Sequence, residues 1–515
     1  MRRPRAWESA SSPSMSRSAR LRAAALAAAC LALTPGVASA HAIGGTFQLP
    51  VPLWLYLLGA AVAVGASFVV TSLVTRAGAG AYPTRPVPAS LARVTRTILR
   101  IVGLAWWYGA IFVAFVVGDI SPLPGVLFWI GIWVGLPIAA ALIGNAWPSL
   151  SPFRTTFAGM EWVAQRIGAR RLDLGVPYPP GLARWPAVAL LAAGVWAELI
   201  LPASDAALTV GLLITAYTLL TLAGMVVFGQ IAWLRNAELF EVELGWFGRI
   251  GPIGRRSISA ELCEGCGEAC SVERCVDCPE CSTAAEDGER SAVLRPWIVG
   301  LTDVVRAGWS DAAFIILVLA GVTYDGLRET AFGAALLGWL LPPITDAFGI
   351  TLTAFLLVDT VAFALVVAAF LAAFSAVLWL TGRIGASTVA PPGVYAATLL
   401  PIAAGYLIAH YLTLVIQGAV WLPSLLVDPL MSLAPELDWI PVALVWYLSV
   451  AAIVGGHVAG IVLAHRLAVR DTPRRATVAG LPMVALMIGY TVLSLWIIAQ
   501  PIVIEPGLTP VTGLR

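Results

Sequence analysis

The chain has 515 residues, 59% of them hydrophobic and 12% charged, with a mean hydropathy of +0.87. A water-soluble globule needs more polar surface than this, so the lipid bilayer is the solvent. All 31 basic residues are arginine and stand against 29 acidic ones, a formal net charge of +2 that makes nucleic acid an unexpected partner. The absence of lysine also excludes Walker A phosphate loops and Schiff-base or pyridoxal chemistry.

In chain order, Arg17, Arg20 and Arg22 precede an apolar run over 23–33, and Ala38-Ser39-Ala40 offers a small-residue cleavage site. This predicts a cleavable export signal over 1–40 and a mature chain beginning at His41. Lipoprotein processing at Cys30 is the alternative, but Ala27-Ala28-Ala29 before it makes a poor lipobox. Apolar stretches long enough to cross a bilayer, roughly 20 residues each, fall near 51–74, 96–117, 124–143, 185–202, 207–234, 308–324, 350–381, 394–420, 440–466 and 477–500. A further apolar piece at 331–341 is too short to cross and ends in Pro342-Pro343, so it reads as interfacial or re-entrant. The expected fold is an all-α polytopic bundle of about ten spans. It divides into a first helix set over 41–234, a connecting loop over 235–307 and a second set over 308–515.

Arginine placement orients the spans. Arg76, Arg85, Arg93 and Arg96, then Arg154, Arg166, Arg170, Arg171 and Arg184, then Arg235, Arg249, Arg255 and Arg256, and finally Arg466, Arg470, Arg474 and Arg475 all fall in alternate connections. The positive-inside rule puts those connections in the cytoplasm and the mature N-terminus outside, as the export signal does independently. Arg328 is the exception, in an outer link. Two sets of about five spans separated by a long loop must run in opposite directions, which is the geometry of an inverted repeat and suggests a transporter.

Cys263, Cys266, Cys270, Cys275, Cys278 and Cys281 crowd the connecting loop. Thiolates two residues apart grip one ion from a tight turn, and a reducing cytoplasm favours metal over disulfides. Zinc fits best; an iron–sulfur cluster is the alternative, although the ferredoxin-like spacing from Cys275 meets Ala285 where a fourth ligand belongs. His41, His410, His457 and His465 are the only histidines. His457 and His465, eight residues apart on one helix, are about 12 Å apart along its axis and cannot share an ion, whereas His410 and His457 on neighbouring helices are the pair that would hold haem, at depths that the span boundaries put roughly 10 Å apart. Buried imidazoles hydrogen-bonded between helices are the plainer reading. A mature amino-terminal His41 could chelate copper, with no second exposed histidine nearby to complete the site. Glu198 and Asp359 interrupt apolar runs, where a carboxylate costs several kcal/mol unless paired or protonated, so both are functional candidates. The tryptophans near span ends read as an interfacial belt.

Several segments resemble a family of prokaryotic polytopic membrane proteins labelled fenitrothion hydrolase. They are His41-Ala-Ile-Gly-Gly with Leu49-Pro-Val-Pro-Leu-Trp-Leu-Tyr56, Trp133-Val-Gly-Leu136 with Gly144-Asn-Ala-Trp-Pro-Ser-Leu-Ser-Pro-Phe-Arg154, and Trp233 with Glu238 and Phe240. Further on come Tyr324-Asp-Gly326, His410-Tyr-Leu with Gln417-Gly418 and Asp428-Pro429, Trp446-Tyr447, Gly456-His457, Leu463-Ala-His465 and Gln500-Pro501. The resemblance implies hydrolysis of an organophosphate ester by a metal-bound water. His410, His457 and Asp359 would be the catalytic groups, and His465, Gln417 and Asp428 the cofactor-binding candidates. The competing expectations are a membrane redox protein carrying haem or the cysteine cluster, and a transporter with Asp359 near its site.

Overall fold

The computed structural model describes residues 47–48, 50–74, 83–168, 171–257, 276–277, 290–302, 304, 307–385, 390–431, 439–472, 474–500 and 503–504. The signal segment, His41 and all six clustered cysteines lie outside the described residues. The chain is an all-α bundle. Its elements are β1 (Phe47–Gln48), α1 (Leu53–Val74), β2 (Arg85–Pro86), α2 (Ala89–Val116), α3 (Leu123–Leu142), α4 (Trp147–Leu150), α5 (Pro152–Arg166), α6 (Trp185–Leu199), α7 (Ala207–Phe228), α8 (Gln230–Asn236), α9 (Leu239–Phe247), β3 (Ile253–Ser257) and β4 (Arg290–Leu294). Then follow α10 (Trp309–Arg328), α11 (Ala331–Phe348), α12 (Leu352–Gly385), α13 (Pro392–Val427), α14 (Val442–Asp471), α15 (Ala476–Ala499) and β5 (Val503–Ile504).

Contacts between helices fix which ends share a level. Ring contacts Tyr56–Trp446 and Phe68–His465 make α1 and α14 parallel. Gly405 lies against Ala452, and Gly456 against Pro401, so α13 and α14 are antiparallel. Arg184 pairs with Asp311 at one end of α10 while Arg328 donates to the Leu199 carbonyl at the other, so α6 runs parallel to α10. Arg475 donates to Ile384 O (3.3 Å), which puts the end of α12 beside the start of α15. One end of the bundle therefore gathers the arginines, and among the described residues Arg328 is the only arginine at the opposite, distal end.

This layout keeps the ten expected crossing helices, although length and apolarity alone would choose a different ten. Ten helices are long and apolar enough to span, and α11 is one of them. Yet α11 follows directly on the distal end of α10, and α12 begins at that same end, since the Tyr324 hydroxyl meets Asp359 O at 3.0 Å. Both ends of α11 are thus distal and it does not cross, although it continues through Pro342 and Pro343 to Phe348 rather than stopping at 341. The remaining crossing is α6, expected over 185–202, which is only 15 residues long and runs between the same levels as α10. Five crossing helices precede the connecting loop (α1, α2, α3, α6, α7) and five follow it (α10, α12, α13, α14, α15), in opposite orientations.

Lipid offers no hydrophobic drive for helix association, so close packing of small residues carries it. Gly456 and Gly460, one turn apart on α14, bring its backbone against Pro401 and Thr398 of α13. Two departures from regular helix matter to the site. Residues Val126–Gly135 of α3 wind as a wide π-helix, a rare form frequent at functional sites. The stretch expected to be one span over 207–234 breaks at Gly229, whose φ of +83° favours glycine. There α8 doubles back along α7, laying Trp233 on Gly224 and stacking Trp233 on Phe228 (5.9 Å). Helix α9 then lies in the bundle with all but Gly245 buried, where the sequence suggested the start of a loop.

Candidate functional site

Adjacent residues on a helix point about 100° apart, and the distal part of α10 uses this to serve two neighbours. Tyr324 turns to α12, donating to Asp359 O at 3.0 Å and to Asp359 Oδ1 at 3.3 Å, while Arg328 Nε lies 3.7 Å from that carboxylate. Asp325 turns to α13. Its Oδ2 accepts the Tyr411 hydroxyl at 2.8 Å and lies 2.9 Å from His410 Nε2. Tyr411 also reaches Glu198 Oε1 on α6 at 3.4 Å, and Glu198 Oε2 accepts Trp133 Nε1 from the wide turn of α3 at 2.7 Å. His410 is 2% exposed, with the Tyr411 ring edge-on at 4.7 Å and the Tyr406 ring at 5.9 Å. Four helices, drawn from both five-helix sets, thus close one buried run of polar groups: Trp133, Glu198, Tyr411, Asp325 and His410.

A second buried group sits nearer the basic end. Glu238 caps α9: its Oε1 accepts Tyr217 OH (2.5 Å) and Phe240 N (3.0 Å), and its Oε2 accepts Trp147 Nε1 (2.9 Å) and Glu241 N (2.6 Å). Burial lifts Glu238 to about 7 against those donors, which favour the ionised form. Glu243, one turn on, is 6% exposed and its Oε2 meets no hydrogen-bond partner among the described residues. Burial first, and then the charge of Glu238, pushes its carboxyl up to about 8. Glu241 instead forms an ion pair with Arg154 at 2.8 Å.

The expected site residues separate. His410 and Asp359 both meet α10, through different residues and different faces. His457 does not join them: it is level with residue 400 across the α13–α14 contact, so it lies ten residues, or roughly 15 Å, below His410. Its Nδ1 donates to Ile453 O within its own helix at 2.8 Å. The structure therefore does not place His410 and His457 where they would share a haem or a metal-bound water. His465 packs edge-on to Phe68 at 5.5 Å. Gln417 is buried two turns from His410, beside Gly418, which packs on Ile130 of α3. Asp428 is exposed and accepts Leu430 N at 3.1 Å, tying a turn. Among the described residues no group of three or more His, Cys, Asp or Glu is arranged to hold one metal ion.

Asp325, Tyr411 and Trp133 were absent from the expected site. Asp325 carried a usable signal, an acid beside an apolar run, but the run was taken to end at 324, four residues early. Tyr411 and Trp133 had none, because nothing local distinguishes a hydrogen-bonding aromatic from an interfacial one. No family model, no curated protein and no solved structure matches the chain.

Proposed function

We propose that this membrane protein is a transporter that moves a small solute by protonating and deprotonating the run of Glu198, Tyr411, Asp325 and His410. One observation carries the reading. Two five-helix sets of opposite orientation meet where α3 packs on α13, and the buried titratable run lies on that meeting line, beside the wide turn of α3. Inverted sets with a polar site at their interface and an irregular helix next to it are the recurring plan of secondary transporters. Buried carboxylates inside a span are retained for proton or ion pathways rather than for stability. Asp325 is shared by two proton-bearing partners, His410 and Tyr411, so a proton gained or lost there rearranges both bonds. By the positive-inside rule the arginine-bearing end faces the cytoplasm, and the site lies toward the distal, outer end.

The test is proton movement in liposomes reconstituted with the purified chain and loaded with a pH-sensitive dye. A potassium diffusion potential, applied with and without a panel of small organic solutes outside, should acidify vesicles holding the native protein. Asp325→Asn and His410→Ala should slow that by about tenfold or more, the scale of losing a positioned proton-transfer group. Native protein that moves protons no faster than empty vesicles with every solute would remove the proposal.

A further inference from the structure

At the basic end, away from that run, α9 and the loops around it wall a cleft of about 600 Å³, measured with its open mouth. Its lining carries four arginines, Arg184, Arg235, Arg249 and Arg255, against two acids, Glu241 and Asp277. Both acids are already engaged from behind the wall, Glu241 by Arg154 at 2.8 Å and Asp277 by Arg295 at 2.5 Å. Neutral oxygens are among the acceptors of three of these guanidinium groups. Arg249 donates to Gly300 O (3.2 Å) and Asp277 O (2.5 Å), Arg255 to Asn145 O (3.2 Å) and Ser149 Oγ (3.4 Å), and Arg184 to Arg235 O (3.3 Å) besides its pair with Asp311. With four arginines against two acids that Arg154 and Arg295 already engage, the lining carries more positive than negative charge. Trp246 forms an apolar wall, with the Arg184 and Arg249 guanidinium carbons 5.9 Å and 5.5 Å from its ring. Burial, ahead of any neighbouring charge, pulls the Arg255 guanidinium below its usual range, a cost that a bound anion would relieve.

We infer that this cleft binds a phosphate group, held by the forks of Arg235, Arg249 and Arg255 with Trp246 against the apolar part of the ligand. Several planar guanidiniums converging on one space suit a tetrahedral oxyanion, to which each donates two hydrogen bonds. The cleft opens at the level where helices end, so the phosphate can come from the head group of an anionic phospholipid or from a soluble phosphate ester. Neither source depends on the proton-transfer reading.

Two arms distinguish the sources, using the full chain in nanodiscs. Radiolabelled inorganic phosphate is titrated onto protein in phosphatidylcholine discs, and native mass spectrometry counts phosphatidylglycerol retained after extraction from discs containing it. Saturable phosphate binding that weakens about tenfold in Arg235→Gln and in Arg255→Gln identifies a soluble ligand. Retention of phosphatidylglycerol in the native protein, lost in the same variants, identifies a lipid. Arg235 is only part-buried, so its variant should keep the native melting temperature even if Arg255→Gln unfolds; competition by sulfate on the native protein supplies a check without mutation. Native protein that binds neither probe, or folded Arg235→Gln that binds both as well as native, overturns the inference.

Discussion

Glu243→Gln should change how the stability of this protein depends on pH, and by an amount that follows from one buried carboxyl. In the folded chain Glu243 is 6% exposed with one oxygen unpartnered, and its carboxyl is pushed from the ordinary 4.5 to about 8. The folded value exceeds the unfolded one, so the folded chain holds a proton that the unfolded chain releases. Stability from this group is therefore fully present below pH 4.5, declines as pH rises, and levels off above about 8. At about 1.4 kcal/mol per pH unit, the two units between pH 6 and pH 8 amount to about 3 kcal/mol. Glutamine keeps the size and shape of the side chain and has no proton to lose. Denaturant unfolding in mixed micelles at pH 6 and pH 9 should show the native protein losing about 3 kcal/mol more than Glu243→Gln over that interval. Titrating groups out of electrostatic reach of Glu243 are common to both proteins and drop out of the difference, which leaves Glu238 and Glu198 as the groups coupled to it. Parallel pH profiles for the two would refute the reasoning and mean that water or an unassigned partner solvates this carboxyl.

Gly456→Leu drives a side chain into the backbone of Pro401 and Ile402 and should lower stability by about 3 kcal/mol or more, while Gly455→Leu, whose side chain enters open space, changes it by less than about 0.5 kcal/mol; thermal unfolding of the two variants decides. Single cysteines replacing Phe332 and Phe348 in a cysteine-free background should both react with an impermeant maleimide added from the same side, and reaction from opposite sides would show that α11 crosses. Asp325→Ala strands His410 and Tyr411 in a buried site and should cost about 3–5 kcal/mol, whereas Asp325→Leu with His410→Phe should recover most of it. A double variant no more stable than Asp325→Ala would contradict the pairing.

The fold was legible because hydrocarbon permits so few backbone arrangements: runs such as 53–74 and 476–499 state their helices almost completely. Arginine spacing stated which ends share a level, and the helix contacts agree in every described connection. The apolar run at 185–202 reads as a span and that at 331–341 as non-crossing, and the ties of α6 to Asp311 and Arg328 and of α12 to Tyr324 agree with both. What escaped were features set by neighbours. At the site, Glu198 and Asp359 were visible as acids inside apolar runs, while Asp325 was hidden by a boundary four residues short and His457 was grouped with His410 because the two lie on neighbouring helices. Glu238, Glu241 and Glu243 fell within the connecting loop over 235–307 because the last apolar run of the first set ends at 234; the Gly229 break that folds α8 and α9 back into the bundle is a tertiary event.

The buried acids are better explained by function than by stability. A paired acid and histidine in a protein interior gain little over an apolar pair of the same volume, because desolvation offsets their attraction. Here the expense is repeated. Glu238 and Glu243 lie on the returning helix near the basic end, Glu243 is within electrostatic reach of Glu198, and Glu198 in turn is within reach of Asp325. Tyr217 and Tyr411 supply hydroxyls beside the first and third of these acids. Packing alone would fill such positions with leucine and phenylalanine, as it does around them. A succession of proton-binding groups, each near the next and joined in part by hydroxyls able to pass a proton, would let protons through where an apolar core would be insulating, which is the property that the proposed proton-driven carrier requires.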